Sequence, residues 1–233
     1  IRQILFFSVP ITILFIELRA QIIRATFGSG AFDWHDTITT ANLLAVLALS
    51  LFAQSLIPLL IRAFFSLRET WTPCLVTTLA TVINLAAAAW LKDVVYILPS
   101  GKTGTLGLIG IGLAFSLSMA VQFILLWLTL RRRVATLHEL PIFQSLYKIS
   151  VAGLFMALTI QLLKAPLAAV FDLTRFTGIF LQGLIAGLAG LATYGFIAYS
   201  LRLDALIAFL SSFKKRWLGV GHLPSEIQPP ENS

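Results

Sequence analysis

The side chains best placed to do chemistry are polar groups that interrupt long apolar runs. Glu17 lies ten residues before Phe27, about 15 Å along a helix axis, which puts its carboxylate well inside an apolar stretch. Gln21 and Arg24 follow at i+4 and i+7 on the same helical face, whereas Arg19 points elsewhere. Two readings stand side by side. The three could line an aqueous path for a polar or anionic cargo, with Gln54 and Arg62 of the next apolar run as further path candidates. Alternatively, Glu17 pairs with a neighbouring helix while both arginines snorkel to the interface. Gln54, Asn84, Gln122, Gln161 and Gln182 are single amides within apolar runs, suited to bonding between helices.

The convergent groups that an enzyme needs are missing from the sequence. His35, His138 and His222 fall in three separate loops with no metal-ligand spacing, and no HExxH, GxSxG or paired intramembrane aspartate occurs. Gly28 and Gly30 form a GxG with no strand before it, so it is not a phosphate loop. Cys74 is the single cysteine, which excludes an intrachain disulfide. Catalysis is therefore not expected, and no cofactor is implied by these residues.

Composition sets the solvent. With 233 residues, 58% of them hydrophobic and 12% charged, the chain has too little polar surface to cover a water-soluble globule. The net charge of +7 raises the question of nucleic acid. The basic residues, however, sit in short runs beside apolar spans, where they read as topology signals and contacts to anionic headgroups. No nucleic-acid partner is expected; membrane lipids are.

Six spans can be drawn, giving an all-α polytopic membrane protein: Ile4 to Phe27, Ala41 to Phe65, Cys74 to Leu91, Leu106 to Leu130, Tyr147 to Leu163, and Phe176 to Leu201. Thr72 and Pro73 are expected to cap and open the third, and Pro58 to kink the second. With an even number of crossings both ends share one side of the membrane. That side receives Arg2, Arg62, Arg68, Arg131-Arg132-Arg133, Lys148, Arg202 and Lys214-Lys215-Arg216. The other receives Arg19, Arg24, Lys92, Lys102, Lys164 and Arg175. The positive-inside rule then makes both ends cytoplasmic. FGSGAFDWHDT and Lys92 to Thr105 become external loops, the former with Asp33, Asp36 or Thr37 to cap the next helix.

The remaining organisation follows from the same pattern. Residues 134–146 read as a cytoplasmic linker, and 147–201 as two further spans. Residues 202–217 carry Leu203, Leu206, Ile207, Leu210, Phe213 and Trp217 on one face, suiting a helix in the interface. Residues 218–233 lack an apolar period and are expected to be disordered. Gly183 and Gly187 form GxxxG with Gly190 one turn on, allowing close approach of a helix or a lipid chain. The chain begins at Ile1 rather than Met, and a fragment of a longer membrane protein is expected.

Several motifs together resemble a known family. GSGAFDWHDT before a long apolar helix, RAFFSLRETWTP, Ile83-Asn84-Leu85 and GLIGIGLAFSLS are similar to the C-terminal part of the MurJ/MviN lipid II flippases. These belong to the multidrug, oligosaccharidyl-lipid and polysaccharide exporter superfamily. The resemblance implies a two-lobe transporter of fourteen helices in the bacterial cytoplasmic (inner) membrane. Residues 1–133 would supply the last four helices of the second lobe, with a missing N-terminal lobe as partner. It implies lipid II, or a related polyprenyl-pyrophosphate lipid, as cargo, moved by alternating access for cell-wall synthesis. Coupling would be to sodium, another ion or membrane potential.

The resemblance also assigns residues. Asn84 matches one sodium ligand of some members, while Ala88 stands one turn later where an aspartate is expected. Where the family often has Glu-Pro this chain has Ala20-Gln21, so the first span should be straighter. Gly183, Gly187 and Gly190 fall where the last two helices flank a groove for the lipid tail. Alternatives are another exporter of the superfamily, moving a polysaccharide lipid or a drug, and a non-transporting membrane scaffold that binds partners through residues 131–144 or the basic tail.

Overall fold

The computed structural model describes residues 2–27, 34–97, 103–134, 140–171, 176–203 and 206. Its helices are α1 (Arg2–Glu17), α2 (Arg19–Phe27), α3 (Trp34–Ser66), α4 (Trp71–Leu91), α5 (Gly107–Arg133), α6 (Leu140–Val170) and α7 (Phe176–Ser200). A two-stranded hairpin, β1 (Val95–Ile97) and β2 (Thr103–Thr105), joins α4 to α5. Among the described residues, five helices are long and apolar enough to cross a membrane, and α1 with α2 makes a sixth span if the bent pair counts as one. The chain is a multi-pass membrane protein.

The largest correction concerns that pair. The run Ile4 to Phe27, expected as one relatively straight span, turns through 69° at Leu18. Other differences are at helix starts. α3 begins at Trp34 rather than Ala41, so His35 and Asp36 lie in a first helical turn and not in a loop; Asp36 there complements the positive end of the helix. α4 begins at Trp71 with Thr70 preceding it, which places Thr72 inside the first turn instead of at the cap. α6 starts at Leu140, within the stretch read as a linker, and continues to Val170. α3 runs through Pro58 without interruption. Glycines 28 and 30, Asp33, His138, and nearly all of 202–233 fall outside the described residues.

Two cores hold the helices. In the first, Ile149, Ala152, Met156 and Ile160 form a one-faced stripe on α6 that meets Leu5 and Phe6 of α1 and Ala186, Tyr194 and Ala198 of α7. In the second, Ala53, Ile57, Leu60 and Phe64 of α3 pack on Leu126 and Leu130 of α5. α4 packs mainly on α5. Its other faces expose Leu75, Leu79, Val82, Leu85 and Trp90, which suits hydrocarbon rather than water.

Helix ends on one side of the bundle share a device. After α3, Glu69 N–H donates to Phe64 O and Arg68 N–H to Phe65 O, both at 3.0 Å, with Arg68 at φ 57°. After α7, Leu203 N–H donates to Ala198 O at 3.1 Å and Arg202 N–H to Tyr199 O at 3.0 Å, with Arg202 at φ 49°. Both are Schellman turns in which arginine takes the left-handed position usually given to glycine. Lys148 of α6 donates to the Leu201 carbonyl at 3.0 Å, closing the end of α7. Beside the first turn, Glu69 accepts from the Thr72 hydroxyl and forms an ion pair with Arg133 of α5 at 2.6 Å. The Glu69 oxygen in that pair lies off the line of a hydrogen bond.

Candidate functional site

The bend between α1 and α2 gathers the polar groups. Lys164 of α6 reaches the bend and donates from Nζ to the Glu17 carboxylate at 2.9 Å and to the Glu17 backbone carbonyl. Its third acceptor is Gln161 Oε1, at 3.3 Å, so the three donors of the ammonium are all used. Both charged side chains are 22% exposed. Removing either would leave a poorly solvated charge without its partner.

The cluster extends to α7. Gln182 donates from Nε2 to the Lys164 carbonyl at 3.0 Å and accepts at Oε1 from Gln21 Nε2 at 3.5 Å. Arg19 folds back so that Nη1 donates to the Ile16 carbonyl at 2.9 Å. Four helices therefore meet through side-chain amides, one ion pair and main-chain carbonyls. Such bonds tie helices together where lipid gives no apolar driving force.

Beside this cluster lies an apolar groove of about 370 Å³ between the bent pair and α7. One wall is Leu14, Leu18, Gln21, Ile22, Ala25 and Thr26; the other is Ile179, Phe180, Gly183, Leu184, Gly187, Leu188 and Leu191. A β-carbon at Gly183 would stand 3.1 Å from Gln21 Cβ, and one at Gly187 would stand 3.1 Å from Leu18 Cδ1. Small residues thus bring α7 close to the bend and leave a shallow channel.

The sequence candidates separate accordingly. Glu17 and Gln21 come together, paired with α6 and α7. Arg24 lies on α2 beyond them, half-buried. Gln54 belongs elsewhere: it donates to Ser50 Oγ of its own helix at 2.6 Å and lines a second apolar hollow with Phe15, Leu44, Leu47, Ala48, Leu51 and Phe115. Arg62 is exposed near the end of α3. Gly183 and Gly187 line the groove, whereas Gly190 packs under Ile160 and Met156 of α6, outside it.

Among the single amides, Gln122 bonds Thr77 across α4 and α5 at 3.0 Å, and Gln182 links three helices. Gln161 instead serves Lys164 within α6. Asn84 is half-buried on α4, a helix with no acidic residue, and its neighbours one turn away are Ala80 and Ala88. Among the described residues no three His, Cys, Asp or Glu side chains group to hold a metal.

Lys164 is the residue that sequence reasoning missed. It follows the apolar run Tyr147 to Leu163 and reads as a lysine at an external interface. The available signal was Ala165 to Val170, six further residues without charge that let the helix continue past it.

Comparison with known proteins gives a consistent result. A family model described as lipid II flippase MurJ matches residues 1–181. A probable lipid II flippase MurJ of Thermotoga maritima is 33% identical over 165 residues, covering 70% of this chain and 31% of that protein. A lipid II flippase MurJ of Thermosipho africanus is 26% identical over 215 residues, covering 92% of this chain and 39% of that protein. The chain spans about a third of the length of the curated relatives it matches.

Proposed function

Because the chain belongs to the MurJ lipid II flippase family, we propose that it forms part of a transporter moving a lipid-linked peptidoglycan precursor across the bacterial cytoplasmic membrane. The physical problem is the head group. A charged pyrophosphate with its sugars and peptide cannot enter hydrocarbon without a desolvation cost on the order of tens of kcal/mol. A polar, water-filled cavity between two helical lobes removes most of that cost, while the polyprenyl tail stays in lipid. Rocking of one lobe against the other then exposes the head to each side in turn. No bond is made or broken, so the protein is a transporter and not an enzyme.

In this reading residues 1–133 supply the last four helices of the second of two lobes, in a protein of fourteen helices. α6 and α7 are the two additional helices. The observation that carries the assignment is the family match across α1 to α6 and into α7. The groove between the bent pair and α7 supports it by offering an open apolar channel to an extended tail. Arg62, Arg68 and the run Arg131-Arg132-Arg133 at the ends of α3 and α5 support, by the positive-inside rule, a reading in which both ends of the chain are cytoplasmic. Coupling of the cycle to sodium, another ion or membrane potential belongs to the same proposal.

The test is complementation. The complete gene is expressed in cells depleted of their own lipid II flippase, and growth without lysis is the expected result. Failure to restore growth by a protein that reaches the membrane would overturn the cargo. The orientation is tested separately with single cysteines in a background where Cys74 and every other native cysteine are replaced by serine. Arg132→Cys should react with a permeant thiol reagent and stay protected from an impermeant one added outside.

A further inference from the structure

The bend between α1 and α2 has no helix-breaking residue of its own. Sharp helix kinks arise at proline, at Gly/Ser pairs, at π-bulges, or where a side chain enters the hydrogen-bond ladder. Leu14 to Ile22 contains no proline, glycine or serine, and Pro10 lies two turns earlier. The ladder is sound on both sides of Leu18, with Leu18 N–H to Leu14 O and Ile22 N–H to Leu18 O each at 2.8 Å. What differs at the bend is the carbonyls between them. Glu17 O accepts from Lys164 Nζ, and Ile16 O accepts from Arg19 Nη1 at 2.9 Å.

We propose that Lys164 is a positioning residue that latches the α1–α2 helix in its bent form by occupying the Glu17 backbone carbonyl. The Glu17 carboxylate, at 2.9 Å, is the counter-charge that keeps the ammonium there. Gln161 and Gln182 complete the latch by holding the third ammonium donor and the Lys164 carbonyl. Position 21 is glutamine, so its amide can close a regular ladder onto Glu17 O once the lysine withdraws. The bent and straight helices are thus two bonded states of one segment, exchanging an ammonium donor for an amide donor.

The consequence falls on the groove. Leu14 comes from one arm of the bend and Gln21, Ile22, Ala25 and Thr26 from the other, while α7 forms the opposite wall. A change in the bend angle must therefore change the groove's shape. This holds whatever guest the groove takes, so the latch can fail without touching the transport assignment, and the reverse.

Spin labels on Gln3→Cys and Thr26→Cys, in full-length protein in lipid nanodiscs with Cys74 and every other native cysteine replaced by serine, read the bend directly. With the observed angle of 69° the helix-axis separation is about 29 Å, against about 34 Å for a straight helix at 1.5 Å per residue. Glu17→Gln combined with Lys164→Met removes the ammonium without stranding a charge, and the distance should lengthen by about 5 Å. Lys164→Arg keeps donors at the carbonyl and should retain the short distance. The exchange Glu17→Lys with Lys164→Glu restores an ion pair but offers the carbonyl no donor from position 164, so the long distance is expected. A short distance in the neutral double variant, or its recovery by the charge exchange, overturns the proposal. Should the double variant fail to insert, Glu17→Gln combined with Lys164→Leu, which likewise offers the carbonyl no donor and strands no charge, carries the same expectation and the same refutation.

Discussion

Gly190 offers the sharpest quantitative test of how α6 and α7 meet. A β-carbon there would stand 2.5 Å from Ile160 Cγ1, 2.7 Å from Ile160 Cδ1 and 3.4 Å from Met156 Cγ. Ordinary carbon contacts begin at about 3.5 Å, so Gly190→Ala must move the Ile160 side chain, or the helices, by about 1 Å. Ile160 and Met156 are fully buried and have no open side to move into. Overpacking of this kind costs about 1–3 kcal/mol, while replacing a mid-helix glycine with alanine returns about 0.5–1 kcal/mol. The net expectation is a loss of roughly 1–2 kcal/mol. Gly195 supplies the control, because nothing lies within 4 Å of its virtual β-carbon; Gly195→Ala should be neutral or stabilising. Both are read from the unfolding midpoint of the full-length protein in mixed detergent micelles. If Gly190→Ala is as stable as Gly195→Ala, the α6–α7 packing described here is wrong.

Three further expectations use the same logic. Gly187→Leu brings its β-carbon to 3.1 Å from Leu18 Cδ1 and 3.6 Å from Leu14 Cδ2, the ends of two flexible side chains, so stability should change by less than about 1 kcal/mol; filling the groove should nonetheless abolish growth in the complementation assay. Gln182→Leu severs its bonds to Lys164 and Gln21 and should cost about 0.6–1.7 kcal/mol, the range for intramembrane side-chain bonds, read by the same micelle unfolding. Glu69→Gln discharges the pair with Arg133, in which the arginine side chain is 55% exposed and the glutamate 18%; with the arginine free to solvate its charge, the expected loss is about 1 kcal/mol or less. A larger loss on micelle unfolding would refute that estimate.

How much could be read from the sequence depended on whether the signal was local. Apolar length fixed α4, α5 and α7 to within a few residues, because nothing but a helix satisfies the backbone across hydrocarbon. The early start of α3 was hidden by His35, Asp36 and Thr37, which look like a loop but form a first helical turn with His35 and Asp36 exposed and Thr37 buried. The hairpin was legible in principle: Val94 to Ile97 and Thr103 to Thr105 flank Pro99-Ser100-Gly101. Glu17 was identifiable as needing a partner, yet Lys164 looked like an interfacial lysine, since snorkelling is the usual fate of such a residue. The bend itself had no proline or glycine to announce it. The Lys164 contact proposed to hold it comes from 147 positions away in the chain, outside any window of sequence around Leu18.

The pairing of α4 with α5 is secured at three levels. At one end, Leu106 N–H donates to Val94 O and Gly107 N–H to Lys92 O, both at 3.0 Å, prolonging the hairpin into the helix starts. At mid-height Gln122 meets Thr77, and at the far end Glu69, anchored to Thr72, grips Arg133. Two rods pinned top, middle and bottom cannot slide along one another or splay. Any mechanical cycle in which this half of the molecule tilts must carry them as a single stiff blade, leaving deformation to the joints on either side of it.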